Sequence, residues 1–73
     1  MTKNRLNNTL KVARAKHNLT QEQLADLVSV TRKTINTVEN GKFIPSTVLA
    51  LKLAHALHTT VEELFYLEDC NQS

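Results

Sequence analysis

Residues 20–41, Thr-Gln-Glu-Gln-Leu-Ala-Asp-Leu-Val-Ser-Val-Thr-Arg-Lys-Thr-Ile-Asn-Thr-Val-Glu-Asn-Gly, constrain the fold of this chain more than any other stretch. Thr20 and Gln23 have the spacing of a capping box, and Leu19 and Leu24 that of the hydrophobic staple beside it. A short helix is therefore expected over residues 21–27. Val28-Ser29-Val30 supplies a turn, and Thr31 caps a second helix over residues 32–40. Gly41 stands where a left-handed residue closes a helix. At about 100° per residue, Ile35 and Val38 point one way, while Arg32, Lys33, Asn36, Thr37 and Asn40 point roughly the other. One side of this helix is built for burial and the other to be held out.

The flanking sequence keeps a helical rhythm. Leu6, Leu10, Val12 and Ala13 recur at helical spacing, which predicts a helix over about residues 7–17. Asn18 is its natural stop, because asparagine tolerates the left-handed conformation. Lys42-Phe43-Ile44-Pro45 reads as a loop, since Pro45 forbids simple helical continuation. Ser46 then caps a fourth helix over about residues 47–57. Thr59 with Glu62, or Thr60 with Glu63, caps a fifth that ends near Tyr66, and the spacing permits either. Residues 69–73 are expected to form a loose tail. One Gly, one Pro and no alternating strand-like runs leave an all-α, five-helix domain as the economical reading. A length of 73 residues allows a single domain, with a core spanning about residues 6–67. A chain this short buries only roughly 60% of its unfolded surface, so its stability is marginal.

Composition excludes several function classes. At 41% hydrophobic and 22% charged residues the chain is an ordinary globular one rather than a disordered one. Cys70 is the single cysteine, so no internal disulfide forms, and a reducing, cytoplasmic setting is expected. No apolar run approaches the roughly 20 residues of a membrane span, and the first residues lack the apolar core of a signal peptide. No Gly-rich phosphate loop is present. His55 and His58 lie three apart, a spacing that suits metal binding, but no second ligand pair accompanies them. Neither a catalytic constellation nor a metal or cofactor site is expected. The net charge is only +2, yet it is unevenly spread: eight basic residues oppose three acidic ones through Lys42, a balance of +5, and the remainder carries −3. A polyanion would be drawn to the first half.

The outward side chains of residues 32–40 suit the major groove of B-DNA, which admits one α-helix. Arg and Lys pair with guanine O6 and N7, Asn pairs with adenine, and Thr offers a hydroxyl or a methyl. Residues early in such a helix reach deepest. Arg32, Lys33, Asn36 and Thr37 are accordingly expected to read bases. Gln21, at the start of the preceding helix, is expected to meet a phosphate, as are Gln23, Thr31, Asn40 and Lys42. These residues resemble the Cro/CI-type phage repressors, or XRE family. The likeness runs over about residues 6–67. It is closest in Leu19-Thr20-Gln21-Glu22-Gln23-Leu24-Ala25, in Thr31-Arg32-Lys33-Thr34-Ile35-Asn36 and in Val38-Glu39-Asn40-Gly41-Lys42, with Pro45-Ser46 and Leu53-Ala54-His55-Ala56-Leu57 following. The resemblance implies a compact five-helix lambda-repressor-like domain with its helix-turn-helix at the second and third helices. It implies a phosphate contact at Gln21, base contacts at Arg32, Lys33 and Thr37, and a partly buried Arg14–Glu39 ion pair. Where the family usually has Gly in the turn, this chain has Ser29.

The fourth predicted helix carries apolar residues on both sides. Ala50, Leu53, Ala54 and Leu57 form one stripe, while Val48 and Leu51 fall opposite it beside Lys52 and His55. Tyr66 and Leu67 add further apolar bulk. Surplus apolar surface with a polar rim suggests a partner. A homodimer through Val48, Leu51, His55, Tyr66 and Leu67 is expected, bound to a palindromic double-stranded operator as a repressor, with no membrane partner and no small-molecule effector in evidence. An antitoxin, or a controller of a restriction–modification operon, is the alternative, since either would bind a protein as well as its own operator.

Overall fold

The structure, a computed structural model, describes residues 4–69. The element order is β1 (Asn4–Asn8), α1 (Leu10–Lys16), α2 (Gln21–Leu27), α3 (Arg32–Glu39), α4 (Thr47–Ala56), α5 (Val61–Leu64) and β2 (Phe65–Asp69). Five helices form, four of them, α2 to α5, with the side-chain caps the sequence offers. Thr20 accepts from the Gln23 N–H while the Gln23 side chain accepts from the Thr20 N–H, a complete capping box. Thr31 and Ser46 accept from the N–H three residues on. Of the two caps the sequence permits for α5, Thr60 is the one used, accepting from the Glu63 N–H.

The termini correct the all-α expectation. Residues 4–8 do not extend the first helix, and Phe65 onward does not extend the fifth. They pair instead as an antiparallel two-stranded ribbon, with Arg5 opposite Glu68, Leu6 opposite Leu67, Asn7 opposite Tyr66 and Asn8 opposite Phe65. The cause is nonlocal. Leu6 and Phe65, two neighbouring positions on one face, pack against the core, and the ladder satisfies backbone groups that a continued helix would carry out into solvent. Asp69 belongs to β2 rather than to a loose tail. The rest of that tail, with Cys70, lies outside the described residues. On the other face Glu68 accepts from Arg5 Nη2 at 3.0 Å and from Asn7 Nδ2 at 2.9 Å. These two hydrogen bonds, Arg5's first, hold the Glu68 carboxyl below the ordinary glutamate range. A lowered folded pKa contributes stability at neutral pH that is lost as pH falls through and below that range. Amide protection of Asn7 and Tyr66, which share the hydrogen-bonded parity of the Thr9 N–H to Leu64 carbonyl pair, will therefore weaken on acidification, and Glu68→Gln will flatten the response; protection that rises with acid would contradict this. The effect is small, because the pair is exposed.

The four longer helices share one ending. After each, the residue past the C-cap is left-handed: Asn18 (φ 55°), Ser29 (φ 61°), Gly41 (φ 73°) and His58 (φ 55°). Its N–H and that of the next residue return to the last turn, as in Ser29 N to Asp26 O (3.3 Å) and Val30 N to Ala25 O (3.0 Å). This is the Schellman closure, repeated four times with glycine at only one of them. A left-handed backbone costs a non-glycine residue roughly 1–2 kcal/mol, partly offset by its stiffer unfolded chain. Ser29→Gly is expected to gain about 0.5–1 kcal/mol, seen as a melting temperature about 4 °C higher. A lower melting temperature would contradict it.

The core draws on every helix. Leu10, Leu24, Ala25, Val28, Ile35, Val38, Leu49, Ala50, Leu53, Ala54, Leu57, Leu64 and Phe65 are buried in one cluster. Val12, from the predicted first stripe, is exposed. Ala25 at the α2–α3 contact is small enough for the two helices to meet closely, and the bend at Ser29 sets α3 across α2.

Candidate nucleic-acid interface

Helix α3 buries Ile35 and Val38 and leaves Arg32, Lys33, Asn36 and Asn40 exposed. Arg32 and Lys33 form no side-chain hydrogen bond or ion pair among the described residues. Two cations at the first turn of an exposed helix thus keep every donor open. Thr37 is half-buried, and its hydroxyl bonds back to the Lys33 and Thr34 carbonyls at 3.0 and 2.9 Å. With its proton engaged there, the Thr37 hydroxyl keeps only acceptor capacity for a partner. Thr31 is exposed at the cap, its hydroxyl shared between the Thr34 N–H and the Thr34 hydroxyl. Lys42 extends from the loop just past Gly41, with its backbone N–H returned to the Thr37 carbonyl.

Beneath this face lies a polar anchor. Arg14 Nε donates to Glu39 Oε2 at 2.7 Å, Nη2 reaches Oε1 at 3.4 Å, and Nη1 donates to the Leu19 carbonyl at 2.8 Å. The side chains are 15% and 5% exposed, so water screens them little. One guanidinium thereby joins α1, the α1–α2 connection and α3. Glu39 Oε1 also accepts from Gln21 Nε2 at 3.1 Å, and the same nitrogen donates to Asn36 Oδ1 at 3.2 Å. Asn40 Nδ2 donates to that oxygen too, at 3.2 Å. The sequence assigns Gln21, Asn36 and Asn40 separate tasks; the structure brings them into one chain of amides. Gln23 stands apart, its side-chain oxygen taken by the capping box.

Asn8 is a residue that sequence reasoning passes over. Its Nδ2 donates to the Val38 carbonyl at 3.0 Å and reaches the Glu39 carbonyl at 3.5 Å, while its Oδ1 accepts from the Leu10 N–H. It caps α1 and ties the ribbon to the end of α3. No local pattern reveals a contact made 30 residues away. Of the surface residues on the second face, Val48 (63% exposed), Leu51 (56%) and His55 project from α4, whereas Tyr66 and Leu67 sit on β2 rather than on a fifth helix. Beside Leu51 runs a shallow apolar groove of about 730 Å³, lined by Leu27, Val28, Lys52, His55 and His58 among others. His58 lies past the end of α4, its ring 5.7 Å from that of His17, which donates to the Leu57 carbonyl. Among the described residues no group of three or more His, Cys, Asp or Glu is placed to hold a metal, and no helix is long and apolar enough to cross a membrane.

A capped helix, a left-handed turn and a second helix with an open cationic face is the geometry by which one helix is presented to a groove. The helix-turn-helix family profile matches residues 10–64. The chain belongs to that family. It is an XRE-type helix-turn-helix regulator, and the family consists of DNA-binding proteins rather than enzymes. An uncharacterised HTH-type transcriptional regulator of Methanocaldococcus jannaschii is 47% identical over 64 residues, covering 88% of this chain and 97% of that one. Among solved structures, the restriction-modification controller protein C.AhdI from Aeromonas hydrophila is 39% identical, with a TM-score of 0.70 over 74% of this chain and 82% of the other. The clp gene regulator ClgR from Corynebacterium glutamicum is 29% identical, with a TM-score of 0.68 over 71% of this chain; the chain spans 55% of that protein. The helix-turn-helix chain described here therefore places its regulator motif at α2–α3, within a body of five helices and a small ribbon.

Proposed function

We propose that this helix-turn-helix regulator is a repressor, binding a palindromic operator as a homodimer with α3 in the major groove. The observation that carries the reading is the open pair Arg32 and Lys33 at the first turn of α3, exposed and unengaged among the described residues. Arg32, Lys33, Asn36 and Thr37 read base edges. Thr31, Gln23, Asn40 and Lys42 meet phosphates around them. Gln21 holds both amide hydrogens inside the polar anchor, so its phosphate contact falls to backbone N–H groups at the start of α2.

The dimer is supported by exposed apolar side chains on α4 and β2: Val48, Leu51, Tyr66 and Leu67, with His55 beside them. Isolated exposed apolars are ordinary, but Leu51 beside an apolar groove on α4 favours a partner there. The twofold would place two α3 helices on half-sites about one helical turn, roughly 34 Å, apart. A second reading has one supporting observation, the likeness to a restriction-modification controller: the chain would then govern a linked operon, or act as an antitoxin that also engages a protein. A footprint on the DNA upstream of its own coding sequence, run beside sedimentation, tests the proposal. Two protected half-sites and a dimer in solution or on DNA are expected; one half-site bound by a monomer would defeat the palindrome and the dimer together.

A further inference from the structure

We infer that Asn36 presents only donors to the DNA, and therefore reads a purine N7, guanine O6 or thymine O4 rather than making the paired contact to adenine. The inference rests on the reading that α3 enters the major groove. Its basis is the direction of a hydrogen-bond chain, which chemistry fixes from one end. Glu39 is a carboxylate, ion-paired to Arg14 at 2.7 Å, and a carboxylate only accepts. The Gln21 atom 3.1 Å from Glu39 Oε1 must then be the amide nitrogen. That nitrogen also faces Asn36, so the Asn36 atom 3.2 Å away must be its oxygen. The same oxygen meets the Asn40 side chain at 3.2 Å, so Asn40 contributes its nitrogen. Asn36 Oδ1 thus accepts twice, which fills both its lone pairs. What remains outward is Nδ2 with its two N–H groups.

Asparagine recognises adenine by donating to N7 and accepting from the N6 amino group. With its oxygen occupied, Asn36 lacks the accepting half. It acts as a short, uncharged counterpart of Lys33 beside it, rejecting edges that offer only an amino group and tolerating any that offers an acceptor. Glu39, a helical turn away and turned inward, is a positioning residue for this choice: it sets which end of the Asn36 amide faces out.

Selection of binding sites from a random DNA pool, with the full chain and with Asn36→Ala, identifies the base pair whose preference relaxes in the variant. At that pair the wild-type protein is expected to prefer an acceptor edge. Removing the amino group from an adenine placed there should change affinity by less than about twofold, whereas the paired contact would lose roughly tenfold or more. Asn36→Asp keeps the oxygen that faces Gln21 and Asn40 and turns an acceptor outward. The preference at that one pair should move to cytosine or adenine. Glu39→Gln releases the fixed acceptor and should make affinity at that pair depend on the adenine amino group; should that variant fail to fold, the amino-group deletion in the wild type still decides. The inference is overturned if the pair demands adenine with its amino group, or if no pair relaxes in Asn36→Ala. If the wild-type chain enriches no sequence at all, the DNA-binding reading falls and the inference falls with it.

Discussion

Replacing Arg14 with alanine will lower stability by about 3 kcal/mol, the low end of what removing one partner from a buried ion pair costs, because this pair is partly buried. The change leaves the Glu39 carboxylate, 5% exposed, with Gln21 as its remaining side-chain partner, and strips the Leu19 carbonyl of its guanidinium donor. Small domains have only about 5–15 kcal/mol in all, so this is a large fraction. For a domain of this length it corresponds to a melting temperature roughly 12–24 °C lower. Circular dichroism melts read it directly. Operator affinity will fall as well, mostly in step with the folded fraction. A paired change, Arg14→Met with Glu39→Leu, will be less damaging to stability than Arg14→Ala alone, because it leaves no buried charge behind. An Arg14→Ala protein that melts like the wild type would show that the pair orients nothing.

Arg32→Ala gives the opposite pattern. Its side chain is exposed and bonds to none of the described residues, so melting will be unchanged within about 0.5 kcal/mol. Operator affinity will drop by about 2 kcal/mol, some 30-fold, and the loss will concentrate at one base pair of each half-site. Affinity for unrelated DNA will fall far less. Lys42→Ala provides the contrast: as a phosphate contact it will weaken all sequences alike and lower the salt dependence by about one contact. Equal losses on operator and random DNA for Arg32→Ala would remove it from base recognition. Together Arg14 and Arg32 separate holding the reading helix from reading with it.

The sequence reveals most where structure is local. The starts of α2, α3, α4 and α5 are announced by a hydroxyl three residues before the N–H it accepts from, whereas α1 has no such cap; the stops at Asn18 and Gly41 follow from residues that accept a left-handed backbone, and Ser29 adopts it at a cost. His58 takes the same conformation without any compositional hint. The ribbon escapes a local reading for a different reason. Arg5 and Glu68 are 63 residues apart, and Phe65-Tyr66-Leu67 looks like the end of a helix until a strand exists to pair with it. The individual polar residues of the interface are readable from helical spacing. Their mutual bonds are not, since Gln21 meets Asn36 and Glu39 only after α2 has crossed α3. That crossing also determines which end of the Asn36 amide faces outward.

The central claim is that α3 is offered to duplex DNA by an electrostatic and hydrogen-bonding face rather than to a protein by an apolar one. Affinity for the footprinted operator, measured against salt concentration, tests it most directly. Log affinity should fall linearly with log salt, with a slope of about −0.9 for each phosphate neutralised, and Arg32→Ala should lower the line throughout. A flat salt response, or a slope that is the same for operator and random DNA with no gap between them, would contradict the account.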